Sequence, residues 1–151
     1  MRICNKDMLF YCMEKSINAI AKIGTTDADE TEVYYLVGTA VHWTVDCLDR
    51  IPYEVVDVLH RELFSALRCA NNCLKHNITF KKAHKSVGHG YPYKYPYDYG
   101  VHFLWSALDD VDIPESMKNQ RKNYKEKLED KNVFYTLLEV KNIVSEYFKV
   151  L

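Results

Sequence analysis

His42 and Asp46 stand four residues apart, and Asp57 and His60 stand three apart a little further on. On a helix either spacing puts both side chains of a pair on one face. An imidazole beside a carboxylate is the elementary unit of general acid–base chemistry, and two such pairs on facing helices form a fragment of a metal site. His42, Asp46, Asp57 and His60 are therefore the candidate catalytic set, and they define one reading, an enzyme or metal-binding helical bundle. The pattern stops short of a complete site. The chain has no Glu-x-x-His, and no other segment supplies evident carboxylate ligands. A boundary His–Asp hydrogen bond plus surface charge accounts for the same four residues, and the sequence favours that account. His102 strengthens the set only if folding brings it close.

The five cysteines point the same way. Cys69 and Cys73 share a helical face, with His76 in the next turn, but there is no C-x-x-C and two thiols do not hold zinc. They are expected to be small buried hydrophobes, with no metal and no cofactor. The odd count prevents complete pairing within one chain. The segment "MRICNKDMLFYCMEKS" lacks the apolar core and cleavage site of a signal peptide. Reduced thiols in the cytoplasm or another reducing intracellular compartment are the expectation. No G-x-S-x-G, P-loop, strand-linked G-x-G-x-x-G, H-E-x-x-H or EF-hand loop is present.

The second cluster of chemically distinctive residues is "HGYPYKYPYDYG", His89–Gly100. Tyr91, Tyr93, Tyr95, Tyr97 and Tyr99 alternate with Pro92, Lys94, Pro96 and Asp98. In a strand these rings would share one face. The prolines instead favour polyproline II, whose repeat of three distributes the rings around the segment. Stiff backbone and rigid amphipathic rings lower the entropy lost on binding. The same rings would also serve to lash a long loop to the core. The candidate binding residues are Tyr91, Tyr93, Lys94, Tyr95, Tyr97 and Tyr99, with Lys81, Lys82 and Lys85 beside them.

From Lys75 to Lys94 there are five lysines, three histidines and no acidic residue. With the tyrosines these suit RNA or single-stranded nucleic acid, lysines on phosphates and rings on bases. Lys118, Arg121, Lys122, Lys125 and Lys127 offer a second basic patch. A formal net charge of -1, Asp98, the acidic run 109–115 and the lack of Arg in the segment argue against it. Nucleic acid is the less favoured partner.

The elements that position these residues are helical. At 151 residues, 48% hydrophobic and 27% charged, the chain is long enough for one core. Leu9, Met13, Ile17 and Ile20 mark a first helix over about 7–23. Val37, Val41, Val45 and Leu48, widened by Tyr34, Ala40, Trp43 and Cys47, mark a second over about 29–49. An arc that broad suits a helix packed on several sides. Gly38 within it would let a neighbour approach closely.

Pro52 suits the first position of a third helix, whose stripe is Val56, Leu59, Leu63, Leu67, Ala70 and Leu74. The short "RIP" link makes it an antiparallel neighbour of the second. Val101, Leu104, Trp105 and Leu108 give a short helix. A last helix opens at Pro114 and ends on Val133, Leu137, Val140, Val144, Tyr147 and Phe148, with its early half projecting or breaking near Asp130.

The expectation is an all-α fold, a compact four- to five-helix bundle with one long Tyr/Pro-rich connection. It forms a single domain over 1–151 with the internal loop at 77–100. No uncharged apolar run of 18 residues is present, so no membrane span is expected. The functional expectation is a non-enzymatic protein-interaction or regulatory domain. It would contact a protein partner through the Tyr/Pro loop and adjacent basic surface. Homo-oligomerisation through the final helix is the remaining alternative.

Overall fold

The computed structural model describes residues 3–23, 30–76, 103–108 and 115–151. The Tyr/Pro segment, its lysines and His102 lie outside them. Among the described residues the fold is all-α. Its helices are α1 (Lys6–Ile23), α2 (Glu30–Asp49), α3 (Val58–His76), α4 (Lys118–Lys127) and α5 (Val133–Val150). None is long and apolar enough to cross a membrane.

The apolar stripes of α1, α2 and α5 become core. Leu9, Met13, Ile17 and Ile20 are buried along α1, and Val133, Leu137, Val140, Val144 and Phe148 along α5. On α2 the buried set is Val33, Val37, Ala40, Val41, Thr44, Val45, Cys47 and Leu48. Its breadth follows from packing against α1, α3 and α5 at once. Asn132 caps α5, its side chain accepting from the Tyr135 N–H.

Polar pairs between helices fix the directions. Lys6 Nζ donates to the Phe148 carbonyl at 2.8 Å and Lys141 pairs with Glu14 at 3.4 Å, so α1 and α5 are antiparallel. Asn72 with Gln120, Ser65 with Asn123 and Glu62 with Lys127 set α4 antiparallel along α3. The hydrophilic helix α4 therefore lies on the bundle rather than projecting from it. It is mounted by Tyr124 and Leu128, both fully buried.

Three expectations are corrected. α3 does not start at Pro52. A 3-10 turn at Tyr53–Val55 follows that proline, Val56 is extended, and Asp57 opens the helix by accepting the Leu59 N–H on Oδ1. The Leu59 place on the apolar stripe is thus lost, and Leu59 is 83% exposed while Phe64, Leu67 and Ala70 carry the contact.

The segment 103–108 is extended, not helical. Trp105 N–H donates to the Lys131 carbonyl, Asp130 N–H to the Trp105 carbonyl and Val133 N–H to the Phe103 carbonyl. Tyr124 Oη donates to the Ser106 carbonyl at 2.6 Å. The partner backbone is the turn between α4 and α5, where Asp130 takes φ 63. Burying Phe103, Trp105 and Leu108 while pairing the backbone with that turn outweighs a short helix with frayed ends.

Gly38 makes no close helix approach. A Cβ built there would meet Leu74 Cδ2 at 3.9 Å, ordinary van der Waals distance.

Candidate functional site

The last three turns of α5 bury one stripe and expose another. Glu139, Asn142, Ile143, Glu146, Tyr147 and Val150 recur at intervals of three and four, so they form one face. Among the described residues, only the start of α3 meets that face, at Tyr147, and Glu139, Asn142, Glu146 and Val150 stay exposed. With Val55, Asp57 and His60 from the 3-10 turn and the start of α3, it lines a groove of about 800 Å³. That volume is within the range of ligand-sized sites, though the groove is open to solvent.

Tyr147 joins the two walls. Its hydroxyl accepts the Asp57 N–H at 2.8 Å and lies 2.8 Å from His60 Nδ1. A phenol both donates and accepts, so it can meet either form of the imidazole. The His60 ring stacks on Phe64 at a centroid distance of 6.0 Å and meets Tyr147 edge-on at 5.8 Å. Phe64 is buried in the core, so this ring cluster ties the groove floor to the bundle.

Apolar side chains are exposed around the groove. Val150, on the groove, is 82% exposed, and Val58 and Leu59, which open α3 between the lining residues Asp57 and His60, are 70% and 83%. Val55 and Tyr53 are exposed on the turn, where the Arg61 guanidinium covers the Tyr53 ring at 4.3 Å.

The four candidate catalytic residues divide between two places. Asp57 and His60 line the groove. His42 Nε2 and Asp46 Oδ2 lie 3.8 Å apart on the exposed side of α2, and no hydrogen bond or ion pair joins them to Asp57 or His60. The Asp57 carboxylate accepts a helix N–H and His60 Nδ1 is engaged by Tyr147. No cluster of three or more His, Cys, Asp or Glu suited to a metal occurs among the described residues. The nine candidate binding residues, Tyr91, Tyr93, Lys94, Tyr95, Tyr97, Tyr99, Lys81, Lys82 and Lys85, lie outside the described residues.

The buried thiols sit away from the groove. Burial, with Asp46 nearby, pushes Cys47 up to about 12. The hydrogen bond to Cys73, together with burial, raises Cys69. Cys73 is lowered by the same hydrogen bond. Burial also raises Tyr124. Cys47, Cys69 and Cys73 are core residues, while Cys4 is exposed and Cys12 half-buried.

Sequence reasoning missed the α5 face. The available signal was Ile143 and Val150, apolar residues standing off the main α5 stripe, and the run Val55, Val56, Val58, Leu59, too apolar for one helix side.

Comparison with protein-family models, curated proteins and solved structures gives no match.

Proposed function

We propose that this chain is a non-enzymatic protein-interaction domain that docks a partner in the groove between the start of α3 and the end of α5. The observation carrying the proposal is the exposed apolar pair Val55 and Val150 lining an open groove with the half-buried Ile143 and Tyr147, next to the exposed Val58 and Leu59 in the adjoining first turn of α3. Scattered exposed apolar residues are ordinary, whereas a cluster beside a concave surface marks an interaction site. The ring cluster beneath it favours the same role, because a pre-ordered surface loses less entropy on binding. The Tyr/Pro segment, with Lys81, Lys82 and Lys85, belongs to the proposal as a second contact, and regulation through such a partner is part of it.

A photo-crosslinking amino acid at Leu59, with a matched one at Lys125 on the outer face of α4, tests the groove. In cells, discrete adducts are expected at Leu59, absent at Lys125 and lost on Val150→Asp. Identical adducts at both positions, or none at Leu59, overturn the proposal.

A further inference from the structure

The groove also specifies the chemistry of its occupant. This step rests on the interaction reading above. We infer that the groove receives an amphipathic helix from a protein partner, with an apolar stripe flanked by Lys or Arg.

Shape supplies the helix. Among the described residues the open α5 face runs from Glu139 to Val150, twelve residues, or roughly 16 Å from first to last at a rise of 1.5 Å per residue. That is three turns, the length over which a docked helix offers anchors at i, i+3, i+4 and i+7. The facing wall, Val55 to His60, is short, so the site is a trough bounded along its length mainly by one helix. Ile143 and Val150, with the Tyr147 ring between them, supply apolar floor at successive turns.

Charge supplies the flanks. Asp57, Glu139 and Glu146 line the groove, and among the described residues no Lys or Arg does. Lys149 pairs with Glu146 at 2.8 Å, an exposed contact that salt screens readily. The Arg61 guanidinium lies over Tyr53, and its Nε donates to the Val56 carbonyl at 3.2 Å. Glu146 shares the Lys149 pair and Asp57 caps α3, so the lining keeps a net negative charge of three carboxylates against the one neighbouring lysine and the engaged Arg61. Glu54 is exposed on the adjoining turn. An acidic rim around an apolar floor selects a basic amphipathic segment and repels an acidic one.

The test uses two synthetic 18-residue peptides. Both carry Leu on one helical face, and their other positions differ only in Arg against Glu. Titration of the full chain, followed by amide chemical shifts, is expected to show tighter binding of the Arg peptide. Its shifts should centre on Val55, Ile143 and Val150, and the affinity should fall as salt is raised. Glu139→Lys with Glu146→Lys should weaken the Arg peptide about tenfold and favour the Glu peptide. Both substitutions are on exposed sites, and unchanged thermal unfolding shows that the fold persists.

Equal binding of both peptides, a preference for Glu, or shifts centred elsewhere overturn the basic-helix assignment. If the Leu59 crosslinks persist, the interaction reading stands with a different occupant. Dilution-dependent shifts at Val150 in the chain alone identify a second copy as the occupant and also overturn the assignment. Loss of both peptide binding and Leu59 crosslinks removes both proposals.

Discussion

The Tyr147 hydroxyl and His60 Nδ1 lie 2.8 Å apart, linking residues 87 positions distant in the chain. The same oxygen accepts the Asp57 N–H, so one side chain of α5 holds the entry into α3. The short turn before α3 is fixed by a tertiary contact as well as by its own capping carboxylate.

Tyr147→Phe keeps the ring contacts with His60 and Phe64 and deletes only this hydroxyl. The expected loss is about 1 kcal/mol of stability, read from urea unfolding. Amide hydrogen exchange at Asp57 should accelerate more than exchange in the middle of α3. Equal protection in both proteins would show that the bond contributes nothing.

Gly38→Ala should stabilise the chain by about 1 kcal/mol. The added methyl meets Leu74 at ordinary contact distance, and Ala is the better helix former by that amount. A lower midpoint in thermal unfolding would mean that α3 packs closer to Gly38 than the 3.9 Å separation indicates.

Thr44 is fully buried on α2, and its Oγ1 has no hydrogen-bond partner among the described residues. Thr44→Val replaces that hydroxyl with a methyl of similar shape. It should raise stability by about 1 kcal/mol, because a buried unsatisfied hydroxyl costs on that order. Denaturant midpoints with unchanged slope would confirm it.

Burial raises the Cys47 thiol from the ordinary 9.0 to about 12, so between those values the folded chain holds a proton that the unfolded chain releases. The stabilisation is complete below pH 9 and falls as pH rises toward 12, by about 1.4 kcal/mol per pH unit for this group. Raised Tyr124 acts with the same sign. Cys47→Ala should flatten the dependence of urea midpoint on pH between 9 and 11. At pH 8, alkylation should label Cys4 first and leave Cys47 protected until unfolding.

The sequence showed the helices wherever one stripe served one neighbour. α1 and α5 are legible because Leu9 to Ile20 and Val133 to Phe148 repeat at helical spacing and bury as a line. It misled where local pattern met a tertiary contact. Leu104, Trp105 and Leu108 share helical spacing, yet the turn at Asp130 offers backbone partners to an extended chain. Leu59 has the right period for the α3 stripe but falls in the first turn, beyond the reach of α2 packing. His42 and Asp46 met as their spacing implied, at 3.8 Å, and the pairing with Asp57 and His60 did not follow. Helix direction alone does not set rotation about the axis. The groove was illegible because it depends on which α5 face stays uncovered, a property of the assembled bundle.

The clasp of Phe103–Leu108 on the α4–α5 turn has a topological consequence. It pins the chain between α3 and α4 at an interior point, so one long closure becomes two shorter ones that share an anchor. Its hydrogen bonds with Arg121, Tyr124, Asp130, Lys131 and Val133 tie the anchor to the C-terminal part of the chain. A nick at residues 77–102 would therefore separate two pieces that each keep their own hydrogen bonds. They would remain associated through α1 against α5 and α3 against α4. The molecule is in this sense already divided into complementary halves, and mixing residues 1–90 with 91–151 is expected to rebuild the bundle without a covalent link.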